Sequence, residues 1–227
     1  MADGHERSRM RPIPLPAGEL HVWFHAGKGS AESLAVLSEE ERARARRFRF
    51  DVHREQYVKA HLFLRHKLAD YCSVPPQQLK FEAGPYGKPR LRGPALHFNL
   101  SHSGHLVMLA VFSADVGADV ERVAAKPDLL AVADRFFAPA ESATLRALPA
   151  SRQVEGFYRL WTLKESFMKA TGEGFHAGIQ SFDLSAGLAA NLLVHAGWSL
   201  QMVEAPAGFT AAVCYRGVAI RVRSFTE

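Results

Sequence analysis

The chain has 227 residues, 48% of them hydrophobic, and its 28 Lys and Arg exceed its 23 Asp and Glu for a formal net charge of +5. That length supports one large domain or two small ones, and the sign of the charge points to an anionic partner: nucleic acid, a phosphorylated small molecule or an acidic protein. The only cysteines, Cys72 and Cys214, lie far apart, which excludes a disulfide framework and a paired-cysteine zinc site and fits a reducing, cytoplasmic setting.

In chain order, Met1 to Met10 is polar and charged without an apolar targeting core, and the longest clean apolar run, Leu106 to Phe112, is too short to span a bilayer. A soluble protein with no membrane partner is therefore expected. The prolines of Arg11-Pro12-Ile13-Pro14-Leu15-Pro16 favour extended backbone and lead into a strand predicted over Glu19 to His25. Ser38-Glu39-Glu40-Glu41 opens a helix with acids in the first turn, where the macrodipole favours them. From Glu55 to Tyr71, the residues Val58, Leu62, Leu64, Leu68 and Tyr71 recur at helical spacing and predict one wall of a core. Gly84-Pro85-Tyr86-Gly87-Lys88-Pro89 is a turn cluster, and Leu106 to Phe112 reads as a buried strand. After a tight turn, Val116 to Glu121 forms a second strand. Pro139-Ala140-Glu141 then starts a short helix, Gln153 to Thr171 a long aromatic-rich one, and apolar strands end at Ala211 to Tyr215. The order of elements repeats loosely, which leaves open two duplicated halves joined near Ser113 to Gly117, or a single α+β domain.

The period of a strand puts Asp119 and Glu121 on one face, with Cα atoms roughly 6–7 Å apart. Two such carboxylates either decorate a solvated edge strand or converge on a hard divalent cation that neutralises them. In Trp161-Thr162-Leu163-Lys164-Glu165-Ser166-Phe167-Met168-Lys169, helical spacing stacks Trp161, Glu165 and Lys169 in one column. The stripe of Phe157, Leu160, Trp161 and Met168 beside them withdraws Glu165 partly from water; the alternative is a surface ion pair contributing about 0.3–0.5 kcal/mol. In His97-Phe98-Asn99-Leu100-Ser101-His102-Ser103-Gly104-His105, three imidazoles lack the spacing of a zinc site. His102 and the Ser101 hydroxyl are read as an anion-binding pair, with His97 and His105 structural or exposed. Arg42, Arg44, Arg46, Arg47 and Arg49 interleaved with Phe48 and Phe50 fit a solvated helix face or a patch for nucleic acid.

Taken in order, Phe98 to Ser103, Gly117-Ala118-Asp119-Val120-Glu121 and Trp161 to Lys169 resemble the signatures of the Sfp-type 4′-phosphopantetheinyl transferases. Tyr86-Gly87-Lys88-Pro89 and Arg44-Ala45-Arg46-Arg47-Phe48 extend the resemblance over about Ser38 to Gly174; the segment from Ala186 onward carries no matching motif. The resemblance implies an α+β fold of two pseudo-symmetric subdomains of similar topology, residues 1–114 and 115–227, with the active site in the cleft between them. It implies transfer of the phosphopantetheine arm of coenzyme A to a serine of an apo acyl, peptidyl or aryl carrier protein, with release of 3′,5′-ADP, by a monomer that needs no nucleic-acid partner. It further implies Mg²⁺, or Mn²⁺ in its place, held by Asp119, Glu121 and Glu165, with Glu165 also the base and Lys169 on the pyrophosphate. Arg44, Tyr86, Gly87, Lys88, Pro89, Ser101, His102 and Lys164 match positions that meet coenzyme A, and Glu141 a supporting position. A metal-dependent nuclease or phosphatase would use a similar set of acids. Ala118 stands where larger branched residues are common in the family, and Glu121, where some members are apolar, favours a three-carboxylate site.

Overall fold

The computed structural model describes residues 12–27, 31–84, 86–172, 178–217 and 220–227. The chain divides into two compact units, Met1–Leu15 with Lys28–Lys80, and Pro16–Gly27 with Phe81–Glu227.

In the smaller unit, helices α1 (Glu39–Arg46) and α2 (Asp51–Cys72) are tied together through one carboxylate. Ser38 caps α1: its Oγ accepts from Glu41 N at 3.2 Å, and Glu41 Oε2 accepts from Ser38 N at 2.8 Å, a reciprocal capping box. The same Glu41 accepts from Arg65 Nε on α2 at 2.7 Å and pairs with His61 Nδ1 at 3.1 Å. Burial disfavours its charge, but the bonds from His61, Arg65 and Ser38 prevail and hold its pKa below the ordinary value. Buried Arg65 also donates to the carbonyls of Pro76 and Leu79. The helix α2 starts at Asp51 instead of the expected Glu55, because its first turn is wholly exposed and carries no apolar periodicity.

The larger unit contains strands β1 (Glu19–His25), β2 (Phe81–Ala83), β3 (Pro89–Leu91), β4 (His97–Ser103), β5 (Leu106–Phe112) and β6 (Val116–Arg122). Helices α3 (Leu129–Phe136), α4 (Pro139–Ala147) and α5 (Ala150–Thr171) follow, then strands β7 (Leu192–His195), β8 (Trp198–Val203), β9 (Phe209–Arg216) and β10 (Arg221–Thr226). One sheet has the order β10-β1-β5-β4 and another the order β6-β9-β8-β7, while β2 and β3 form a separate hairpin. All of these pairs are antiparallel except β1 with β10, which is parallel. The fold is thus α+β. The C-terminal β10 returns to the sheet of β1, so the expected division at residues 114 and 115 does not follow the compact units: it cuts across the larger one.

Strand alternation sorts the core into two layers. Val116, Ala118 and Val120 of β6 and Ala211, Val213 and Tyr215 of β9 pack with Leu20, Val22 and Phe24 of β1 and Leu106, Met108, Ala110 and Phe112 of β5. The intervening Ala212 and Cys214 of β9 face the other way, into a core with Leu200 and with Leu160, Leu163 and Phe167 of α5. On β6 the residues facing α5 are Gly117 and, two residues on, Asp119. A Cβ on Gly117 would fall well inside contact distance of the Ser166 carbonyl and the Ala170 amide, and 2.9 Å from Ala170 Cα. Only a residue without a side chain lets this strand lie against the helix backbone.

Gly117→Ala is expected to force β6 and α5 apart, with a loss at or beyond the upper end of the ~1–3 kcal/mol typical of overpacking. Chemical denaturation tests this, and stability equal to that of the wild type would refute the close approach.

Candidate active site

The close approach at Gly117 carries Asp119 to the column of α5 that holds Trp161, Glu165 and Lys169. These three helical residues are half-buried, while their neighbours Leu160, Leu163, Lys164 and Met168 are buried. Asp119 is only 2% exposed, and Glu121 is half-buried at the end of β6. Lys169 Nζ donates to Asp119 Oδ1 at 2.5 Å and to Ser101 Oγ at 3.1 Å, and Ser101 Oγ donates to Asp119 Oδ1 at 2.9 Å. Burial pushes the Glu165 carboxyl up to about 7; Lys169 opposes that rise, and Asp119 and Glu121 reinforce it. Burial also raises Glu121, against a hydrogen bond from Ser103 and with the help of Asp119.

The second oxygen of this aspartate, Asp119 Oδ2, is buried and has no hydrogen-bond partner. A carboxylate oxygen so placed, beside two acids whose charge is disfavoured, fits a hard cation with oxygen ligands. Among the described residues no group of three His, Cys, Asp or Glu side chains is gathered closely enough to grip an ion as it stands. The cation in contact with Asp119 is the Lys169 ammonium.

Behind the acids stands β4, which sequence reasoning left as a crowded polar segment. Its alternate residues reach across in step to β6 and the residue before it: His97 Nδ1 lies 3.1 Å from Asp115 Oδ1, and Asn99 Oδ1 accepts from Ala118 N at 2.8 Å. Ser101 Oγ accepts from Val120 N at 3.4 Å, and Ser103 Oγ accepts from Arg122 N at 3.1 Å while donating to Glu121 Oε2 at 2.7 Å. The signal for it was present as polar residues at 97, 99, 101 and 103 around apolar 98 and 100, a period of two. That alternation also separates Ser101 from His102. Ser101 is buried among the acids, whereas His102 is exposed on the opposite face, so the two do not form a side-chain pair for one anion. His105 is exposed and packs edge-on against Phe209.

Lys164 requires a correction. It is 0% exposed, and its ammonium donates to Glu141 Oε1 at 2.8 Å and to the Phe182 carbonyl at 2.6 Å, so it is closed to a ligand. Glu141 also caps α4 through Ala138 N and accepts from Leu184 N, making this pair a structural anchor. The helical repeat turns residue 164 inward and leaves 165 half-buried on the face it shares with Lys169. Lys88 is likewise occupied, donating to the carbonyls of Val116 at 2.8 Å and Ala170 at 3.1 Å. Burial brings its pKa down to about 8, with Asp115 opposing the drop. It follows the turn in which Gly87, at φ +83°, donates to the Gly84 carbonyl at 2.9 Å; Tyr86 there is 62% exposed, and Pro85 lies outside the described residues. Lys88, Pro89, Arg90, His97 and Asp115 line a cavity of about 210 Å³. In the smaller unit, Arg44 is exposed with its guanidinium 5.5 Å from the Tyr57 ring centroid.

Residues 115–214 match the profile of the 4′-phosphopantetheinyl transferase superfamily, and residues 23–114 match that of the 4′-phosphopantetheinyl transferase N-terminal region. The chain is 36% identical over 216 residues to the 4′-phosphopantetheinyl transferase HetI of Nostoc sp., covering 90% of this chain and 91% of that protein. It is 43% identical over 159 residues to the transferase psf-1 of Bacillus pumilus, with 70% and 67% covered, and 31% identical over 189 residues to Sfp of Bacillus subtilis, with 80% and 83% covered.

Breaking the buried pair with Lys164→Met is expected to cost ~3–5 kcal/mol in denaturant unfolding, since it strands Glu141. A change under about 1 kcal/mol would show that the anchor carries little. For Lys88, the folded pKa of about 8 lies below the ordinary 10.5, so between them the folded state binds fewer protons than the unfolded one. Its contribution to stability is complete above the unfolded value and is lost as the pH falls through the folded one. The melting temperature of the wild type should therefore gain on that of Lys88→Met between about pH 7 and about pH 10. A gap that stays constant would contradict the burial of this ammonium.

Proposed function

This chain belongs to the 4′-phosphopantetheinyl transferase superfamily, and on that premise we propose that it moves the phosphopantetheine arm of coenzyme A onto a serine of an apo acyl, peptidyl or aryl carrier protein. The observation that carries the reading is the buried, unpartnered Asp119 Oδ2 beside Lys169, within the segment that the superfamily profile matches. Asp119, Glu121 and Glu165 are the residues that would hold Mg²⁺, or Mn²⁺ in its place. When bound, such an ion neutralises charge on the pyrophosphate oxygens, typically a large term in phosphoryl transfer.

The serine hydroxyl attacks the β-phosphorus, the P–O bond to the nucleotide half breaks, and 3′,5′-ADP leaves. Glu165 accepts the serine proton. Lys169, held by Asp119 and Ser101 at the same spot, shifts its ammonium to the pyrophosphate and neutralises the leaving oxygen. His102, exposed on β4, supplies a cation for the nucleotide phosphate, and the backbone of Tyr86, Gly87, Lys88 and Pro89 meets the adenine. Ser101 acts from beneath the acids. The protein acts as a cytoplasmic monomer without a nucleic-acid partner, with the nucleotide contacts in residues 1–114 and the metal ligands and catalytic helix in residues 115–227. Among the described residues no helix is long and apolar enough to cross a membrane.

Incubation with coenzyme A, Mg²⁺ and an apo carrier protein should raise the carrier mass by one phosphopantetheine. Asp119→Ala and Glu165→Ala should nearly abolish that gain while the variants stay folded. Failure of the wild type on fatty-acid, polyketide and peptide carriers alike would sink the assignment, and full activity of Asp119→Ala would sink the cation site.

A further inference from the structure

Strands β4 and β6 lie at the edges of different sheets, so no main-chain ladder joins them. The free edge of β6 is satisfied instead by side chains: Ala118 N donates to Asn99 Oδ1, Val120 N to Ser101 Oγ and Arg122 N to Ser103 Oγ. The partners advance together along both strands, which therefore run side by side in the same direction. Two of these rungs do more than close the edge. A hydroxyl that accepts from an amide still has its own proton to give, and both serines give it to the carboxylate preceding that amide in sequence. Ser101 thus donates to Asp119, and Ser103 donates to Glu121. Asn99 makes the same edge contact without touching an acid.

Of the two serines, Ser101 also receives the Lys169 ammonium, while Ser103 acts on Glu121 with no cation among its bonds. Glu121 is half-buried near the end of β6, and the Ser103 hydroxyl holds its Oε2 at 2.7 Å. We propose that Ser103 is a positioning residue: clamped between the Arg122 amide and Glu121 Oε2, its hydroxyl holds the Glu121 carboxylate in place beside Asp119 and so sets the affinity of the acidic cluster for a divalent cation. The inference rests on the reading of Asp119, Glu121 and Glu165 as a cation site. Hydrogen bonds that orient ligating side chains commonly carry effects of this kind on affinity.

The test is Mn²⁺ binding to the whole protein, followed by electron paramagnetic resonance of the free ion, with denaturant unfolding run in parallel. Ser103→Ala should weaken Mn²⁺ binding by about 10–100-fold, and Ser103→Thr, which keeps the hydroxyl, should restore most of it. Asn99→Ala removes a rung that touches no acid, so it should lower stability and leave Mn²⁺ affinity within about 2-fold of the wild type. In a Glu121→Gln background, Ser103→Ala should have little further effect, because the pair acts as one unit. Wild-type affinity in Ser103→Ala, or an equal loss in Asn99→Ala, overturns the inference while the cation site stands. Absence of Mn²⁺ binding by the wild type overturns the cation site and the inference with it.

Discussion

The contact between β6 and α5 at Gly117 is the constraint from which the rest of the larger unit follows. With no Cβ between them, the strand backbone rests against the backbone of the last two turns of the helix, at Ser166 and Ala170. Residue 119, two positions along the strand on the same face, then arrives at the level of Lys169, and its carboxylate meets the ammonium directly. A side chain at position 117 would lift the strand, and the acids of β6 and those of α5 would belong to separate surfaces. Lys88 reinforces the junction from one end, bonding at once to a carbonyl at the start of β6 and to one in the final turn of α5. A cation there also faces the negative end of the helix dipole.

Buried charge in this protein serves two purposes, and the surroundings of each pair distinguish them. Glu141 with Lys164 and Glu41 with Arg65 are closed systems: each partner also bonds to backbone groups, the first pair is wholly buried and the second nearly so. Such pairs fix how helices and loops meet, and one partner alone would be costly. Asp119 with Lys169 is open. The lysine is half-exposed, one aspartate oxygen is left over, and two further glutamates crowd the same face under burial that disfavours their charge. An arrangement of that kind is incomplete as a structural anchor and suits a site that exchanges one cation for another.

Much of the scaffold was legible in the residues themselves. The strands β1 and β5 run over the segments expected for them after the proline-rich leader and in the apolar run, α4 begins at its Pro139, and Trp161, Glu165 and Lys169 do share a half-buried column of α5. The strand β10 was not legible, since Arg221–Thr226 is polar and mostly exposed and owes its conformation to pairing with β1. The ladder of β4 was overlooked because serine and histidine side by side suggested joint binding of an anion, whereas a strand sends neighbours to opposite faces.

The sequence by itself determined the local periods and hence which residue types share a face: Asp119 with Gly117, Glu165 with Lys169, Asn99 with Ser101 and Ser103. It also carried the ordered motifs that identify the family. Only the tertiary structure decided which lysines are free to act, because Lys164, Lys88 and Lys169 are chemically alike and differ solely in what surrounds the ammonium. Periodicity reports direction along one element; hydrogen bonding and burial depend on the element packed against it, and residues 68 and 50 positions apart meet at Lys169 only after the chain has folded.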